Sequence, residues 1–119
     1  MIIERFEDIE AWKEARTLVK EIYQFFGDVK DYGFRDQIQR AAVSVMSNIA
    51  EGFDRGSNRE FIKFLIIARG SVSEVRSLGY AALDIGYIDE EIFNKISNRC
   101  LKLASLINGF IRYLKRSEF

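Results

Sequence analysis

Residues 89–116 read DEEIFNKISNRCLKLASLINGFIRYLKR, and this stretch decides the fold class. Its apolar residues recur at steps of three and four, which places them on one side of a helix. Those residues are Ile92, Ile96, Cys100, Leu103, Ile107, Phe110 and Leu114. Asp89 is suited to cap the helix, and Glu90 and Glu91 lie near the positive end of its dipole. The stretch therefore predicts a long amphipathic helix that buries a single face.

The preceding part of the chain shows the same periodicity three more times. The predicted helices span residues 8–26, 34–52 and 57–85. Asp8 is the predicted N-cap of the first helix, Ser57 and Glu60 predict a capping box at the start of the third, and Gly86 ends the third. Proline is absent from the 119 residues, which suits long helices. We therefore predict a single all-α domain over residues 1–119, an up-down-up-down antiparallel four-helix bundle.

The composition argues against an enzyme. The chain has no histidine, so it lacks a histidine general base and the Glu-x-x-His pairs of di-iron bundles. Its one cysteine, Cys100, lies on the apolar stripe and is predicted to be a packed side chain and not a nucleophile. The glycines show no phosphate-loop spacing. We predict no cofactor, no metal and no small-molecule substrate for this chain, and a cytoplasmic protein without a membrane segment.

Polar residues recur at helical spacing in the middle of the second and third helices. They are Arg40, Ser44, Asn48 and Glu51 on the second helix, and Arg69 and Glu74 on the third. If the hairpin turns near Arg55, an ion pair between Arg40 and Glu74 is geometrically allowed. The favoured interpretation is a satisfied polar seam that fixes the helix register. The alternatives are a ligand or partner site, and an enzyme site formed by Glu51, Arg40 and Arg69.

The third helix has more apolar surface than one bundle needs. Between Phe61 and Ala68 only Lys63 interrupts the apolar residues, so every side of this part of the helix is apolar. A helix of this kind is buried on several sides, and exposed apolar patches often mark interfaces. We therefore predict a homo-oligomer with an interface at Phe61, Ile62, Ile66 and Ile67. The alternative is a monomer that covers these residues itself.

The end of the chain is basic although the whole chain is neutral, with 18 basic and 18 acidic residues. The basic residues of the last helix are Lys95, Arg99, Lys102, Arg112, Lys115 and Arg116. They form a candidate surface for RNA, since cations interleaved with aromatic residues can contact phosphates and stack on bases. The favoured interpretation is that the last of these residues complement the dipole at the helix end.

Three stretches of the sequence carry a family resemblance. They are residues 39–55, QRAAVSVMSNIAEGFDR; residues 6–12, FEDIEAW; and residues 61–74, with Ala68-Arg69-Gly70-Ser71-x-x-Glu74. Together they resemble the four helix bundle protein family, whose members are often encoded in intervening sequences of bacterial 23S ribosomal RNA genes. Met46 stands where this family commonly has a proline, so we expect a straighter second helix.

The resemblance implies an up-down bundle that assembles into a homopentamer, and it implies no catalytic residues. The accessory protein of diversity-generating retroelements is similar in fold to this family, and binds a reverse transcriptase and nucleic acid through a basic surface. Our leading hypothesis is therefore a non-enzymatic, pentameric assembly or adaptor protein, attached to RNA or to an RNA-processing partner.

Overall fold

A computed structural model describes residues 3–117 and shows four helices that follow a short 3-10 turn. The turn spans Phe6–Asp8, and the helices are α1 (Glu10–Phe25), α2 (Tyr32–Asp54), α3 (Asn58–Ile85) and α4 (Glu90–Arg116). α1 packs on α2 and α4, and α3 packs on the same two helices from the opposite corner. This arrangement confirms the predicted all-α four-helix fold. α2 is one continuous helix through Met46.

One apolar face of each helix contributes to a single core along the bundle axis. Leu18, Ile49, Leu65 and Leu103, one from each helix, are completely buried. Burying a side chain of this size stabilises the fold by about 1.5–3 kcal/mol. Within residues 3–117, none of the helices combines the length and the hydropathy that crossing a lipid bilayer requires.

The start of α4 and the end of α3 are as the sequence predicts, and at the start of α3 Ser57 caps the helix while the Glu60 carboxylate pairs with Lys63 at 3.2 Å. The Ser57 hydroxyl accepts a hydrogen bond from the Glu60 amide at 3.2 Å, and the Asp89 carboxylate accepts one from the Ile92 amide at 2.9 Å. Gly86 ends α3 with φ 93°, a left-handed conformation that favours glycine. These caps satisfy amide and carbonyl groups that the helix ends would otherwise leave unpaired.

The predicted starts of the first two helices need correction. Asp8 belongs to the 3-10 turn, and the buried Ile9 is the residue before α1, where no side chain caps the helix. α2 begins before Phe34 because the Asp31 carboxylate accepts a hydrogen bond from the Phe34 amide at 3.2 Å. The same carboxylate accepts a hydrogen bond from the Tyr87 hydroxyl at 2.7 Å, which ties the start of α2 to the loop between α3 and α4.

α2 and α3 approach each other closely near the turn that joins them. A Cβ atom placed on Gly52 would lie 2.6 Å from the Cβ atom of Phe64 and 3.0 Å from the ring of Phe61. Only a residue without a side chain fits there. Gly52, which lies in the stretch 39–55 that carries the family resemblance, is therefore required by helix–helix contact.

Candidate functional site

The centre of the predicted polar seam links α2 to α3 through neutral groups. The Ser44 and Ser71 hydroxyls are 2.9 Å apart and share a hydrogen bond across the two helices. The Asn48 side-chain amide donates to the Ser44 carbonyl at 2.8 Å and to its hydroxyl at 3.0 Å. Ser71, which was not among the predicted seam residues, supplies the contact on α3.

The charged residues of the predicted seam do not come together. The Glu51 carboxylate accepts a hydrogen bond from Arg55 at 2.9 Å, one turn further along α2. The Arg69 guanidinium donates to the Asn108 side chain at 2.9 Å and so faces α4. The hypothetical enzyme site of Glu51, Arg40 and Arg69 is therefore not assembled, because Arg69 lies on the side of α3 that is turned away from α2.

Arg40 and Glu74 lie on the two walls of an open cavity of about 500 Å³ between α2 and α3. The ion pair that the sequence allows between them does not form, since no salt bridge joins them among the ion pairs of residues 3–117. Both side chains are exposed. Each is therefore available to a group outside the chain.

Only part of the apolar excess of α3 is on the surface. Phe61 is 6% exposed and lies between the rings of Phe53 and Phe110, with ring centroids 6.0 and 5.2 Å away. It belongs to the core of the single chain, so its prediction as an interface residue needs correction. Ile62 is half-buried and also packs on the core. Ile66 and Ile67, by contrast, are 45% and 52% exposed.

These two isoleucines lie within a larger outer surface of the α2–α3 hairpin. All its members are exposed, and it combines apolar, small and charged side chains. We call it the α2–α3 surface and define it by Arg40, Val43 and Ser47 on α2, and by Ile66, Ile67, Gly70 and Glu74 on α3. The Ser44–Ser71 hydrogen bond fixes the register in which the two halves face outward together.

Three of the six predicted RNA-binding residues serve ion pairs instead. Arg99 donates two hydrogen bonds to Glu21 at 2.9 and 3.1 Å and a third to Glu14 at 3.0 Å, and the Lys102 ammonium lies 3.2 Å from Glu14. Lys95 lies 3.7 Å from Glu91. The hydrogen bonds to Glu21 and Glu14 raise the pKa of Arg99 further above its ordinary value. Arg99 and Lys102 therefore hold α4 on α1, whereas the pair of Lys95 lies within α4.

The other three residues join a cationic surface formed by α3 and α4. Arg112 is about 140° around the helix from Arg99, on the side of α4 that faces α3. We call this the α3–α4 surface and define it by Arg59, Arg69 and Arg76 on α3, and by Arg112, Lys115 and Arg116 on α4. Two hydrogen bonds join the helices along it, from Arg69 to Asn108 and from Asn58 to the Leu114 carbonyl at 3.4 Å.

Cys100 is completely buried in the core, as the sequence predicts. Burial raises the pKa of its thiol to about 12. The thiol is therefore protonated at neutral pH, and a thiolate nucleophile is not available there.

The fold and the two outer surfaces define a small helical-bundle protein whose distinctive polar and apolar groups lie on the outside of its helices. The chain belongs to the 23S rRNA-intervening sequence protein family, whose model matches residues 7–109, and the function of this family is unknown. The comparison confirms the resemblance that residues 39–55 carry.

The fold is also found in a crystal structure of a protein of unknown function from the S23 ribosomal protein family of Bacteroides thetaiotaomicron VPI-5482. The two chains share 24% sequence identity and superpose with a TM-score of 0.79, over 85% of this chain and 97% of the other. At this identity the likeness shows the fold alone. A comparison with curated proteins gives no match.

Proposed function

We propose that this protein is a non-enzymatic adaptor that works as a homo-oligomer, a pentamer, and that its copies contact one another through the α2–α3 surface. It acts in the cytoplasm, where the buried Cys100 thiol stays reduced. The observation that carries the proposal is the exposed apolar pair Ile66 and Ile67 in the first half of α3.

Gly70 supports a contact between helices of different copies. Glycine in the interior of a helix costs about 0.5–1 kcal/mol relative to alanine. Within residues 3–117, no atom apart from the adjacent residues and backbone of α3 lies within 4 Å of a Cβ atom placed on Gly70, so the packing of the chain itself does not need a glycine there. A small residue beside two exposed isoleucines allows another helix to come close, which explains why the cost is tolerated.

The charges of the α2–α3 surface suit an association of identical copies. Arg40 and Glu74 carry opposite charges on neighbouring helices and form no ion pair with each other in the single chain. In a closed ring the α2–α3 surface of one copy meets a different surface of the next copy, so Arg40 and Glu74 would each pair with an opposite charge on that second surface. Pairing of this kind favours a fixed register at the contact.

The experiment that tests this proposal is light scattering coupled to size-exclusion chromatography at micromolar concentration. We expect the mass of five 13.8 kDa chains for the wild type. Ile67→Asp introduces a charge into the contact, so it should give single chains with unchanged helicity by circular dichroism.

Leu101→Asp is the matched control, because Leu101 on α4 is similarly exposed at 48% but lies outside the α2–α3 surface. This variant should assemble like the wild type. A wild-type mass of one chain, or loss of assembly in the control alone, would refute the proposed contact.

A further inference from the structure

The α3–α4 surface is cationic along its whole length although the chain is neutral overall. α4 has no acidic residue between Ile92 and Ser117. On α3, the acidic residues before Asp84 are Glu60 and Glu74. Glu60 pairs with Lys63 at 3.2 Å, and Glu74 lines the cavity beside α2. The acidic side chains that balance the charge therefore lie elsewhere on the bundle.

Most cations of this surface have no partner among the described residues. Within residues 3–117, no ion pair or side-chain hydrogen bond engages Arg59, Arg76, Arg112, Lys115 or Arg116. Arg69 is held by Asn108, which directs its guanidinium into the same surface. Positions 59 and 76 are about 25 Å apart along α3. An extended polyanion matches this length, whereas one isolated phosphate would meet only one or two of the cations.

An aromatic ring and two hydroxyls lie at one end of this row of cations. Ser73, Arg76, Ser77 and Tyr80 line an open depression of about 300 Å³. The Tyr80 side chain is 50% exposed, and its ring lies against Phe93 with 4.6 Å between the centroids. The contact with Phe93 fixes the ring while leaving part of it open to solvent.

We propose that the α3–α4 surface binds single-stranded RNA. The arginines and Lys115 contact successive phosphates, and an unpaired base stacks on Tyr80. Arg76 donates to the adjacent phosphate, and the Ser73 and Ser77 hydroxyls hydrogen-bond the phosphate or the ribose 2′-hydroxyl. A single strand is favoured over a duplex because stacking on a side chain needs an unpaired base, and RNA over DNA because the 2′-hydroxyl can both donate and accept.

This binding site borders the proposed contact between copies, since Ser73 and Ser77 lie seven residues, and so about 20° around α3, from Ile66 and Gly70. Its residues Arg76 and Tyr80 lie on the α4 side of α3, whereas Ile67 and Glu74 lie on its α2 side. The Ile67→Asp variant keeps every residue of the α3–α4 surface. RNA binding by this variant therefore tests the inference even if the oligomer proves wrong.

The test is fluorescence anisotropy of a labelled, unstructured RNA of about 20 nucleotides, titrated with the full chain at several salt concentrations. Single strands lose about 0.7 units of log K per unit of log salt for each phosphate contact, so six cations predict a slope near −4. A slope near zero, or no binding at low salt, would overturn the proposal.

A matched pair of triple variants separates the effect of the α3–α4 surface on RNA binding from the effect of the overall charge of the chain. Arg76→Gln with Arg112→Gln and Arg116→Gln should bring the slope about 2 units closer to zero and weaken binding at low salt at least about tenfold. Lys13→Gln with Lys20→Gln and Lys95→Gln removes the same charge from α1 and from the start of α4, outside the α3–α4 surface. Binding by this second variant should stay close to that of the wild type, and equal losses in both would contradict a defined site.

Tyr80→Ala tests the stacking contact, and Tyr80→Phe is its control. Losing the ring should weaken binding about five- to a hundredfold, whereas Tyr80→Phe should bind like the wild type. The melting temperature of each variant shows whether the fold is kept.

Equal affinity for DNA of the same sequence, or for duplex RNA, would overturn the assignment to single-stranded RNA. Equal competition by polyglutamate would overturn it as well, and would identify a surface for acidic proteins instead.

Discussion

At the scale of single residues, the glycines at positions 52 and 70 of the α2–α3 hairpin have opposite surroundings, and each is a glycine for a different reason. Gly52 is buried where α2 meets Phe64, and a Cβ atom would collide with that side chain at 2.6 Å. Gly70 is exposed, and among residues 3–117 nothing lies near the position of its absent side chain. The first glycine is explained by the fold of one chain, and we explain the second by contact with another.

The two glycines give a stability prediction. Gly52→Ala should lower the free energy of unfolding by about 1–3 kcal/mol, because α2 and α3 must move apart to admit the methyl group. Gly70→Ala should raise the stability of the isolated chain by about 0.5–1 kcal/mol through higher helix propensity. Urea unfolding in the Ile67→Asp background measures both changes without a contribution from assembly. Similar shifts for the two variants would contradict the close contact at Gly52.

At the scale of helices, α1 and α4 are joined outside the core by one cluster of charges. Arg99 bridges Glu14 and Glu21, and Lys102 adds a second cation beside Glu14. Partial burial alone would raise the pKa of the Glu14 carboxyl, but hydrogen bonds from Arg99 and Lys102 hold it below the ordinary value of 4.5. Glu14 and Glu21 are about one-fifth exposed or less, so water screens these pairs less than pairs on the open surface.

Arg99→Met should therefore cost about 1–2 kcal/mol of stability at neutral pH, because it leaves two partly buried carboxylates without their main partner. Lys95→Met is the control, since its pair with Glu91 is exposed and 3.7 Å long, and it should change stability by less than about 0.5 kcal/mol. Thermal unfolding of both variants measures the difference. Equal effects would show that the cluster is not coupled to folding.

The lowered pKa of the Glu14 carboxyl predicts how the effect of Arg99→Met on stability changes with pH. A carboxyl whose pKa is lowered in the folded state contributes stability above its unfolded value, and the contribution is lost as the pH falls through the lowered folded value. The Glu14 contribution is therefore complete well above pH 4.5 and declines below it. The stability difference between the wild type and Arg99→Met should shrink in this acidic range. A difference that grows on acidification would contradict the assigned role of Arg99.

At the scale of the whole molecule, the two proposals together predict that binding depends on RNA length. If five copies form a ring, a long strand can reach the α3–α4 surface of more than one copy, and the second contact becomes intramolecular. The wild type should therefore bind a long RNA at least about tenfold more tightly than a short one, whereas Ile67→Asp should show little length dependence. Anisotropy with RNAs of two lengths measures this difference. The same length dependence in both proteins would contradict a cooperating ring.

The sequence predicts the four helices well because periodicity, caps and turn glycines all act locally. It misses the start of α2 because the Tyr32-Gly33 pair is typical of a turn. The Asp31 side chain that caps α2 is also held by Tyr87, 56 positions further along the chain, and a local pattern does not show this contact. It also groups the basic residues of α4 wrongly. Periodicity shows which side of α4 faces the core, but it does not show which neighbouring helix packs on either side of that face. The positions of α1 and α3 around α4 place Arg99 beside Glu21, and they place Arg112 on the same surface as Arg69 and Arg59.

The hydrogen bonds that hold α2 against α3 involve hydroxyl and amide groups alone at Ser44, Asn48 and Ser71. None of these groups titrates near neutral pH, and counterions have little effect on bonds between uncharged partners. Across a salt titration the contact between α2 and α3 thus stays a constant frame, whereas the ion pairs of Arg99 with Glu14 and Glu21 leave the contact between α1 and α4 sensitive to ionic strength.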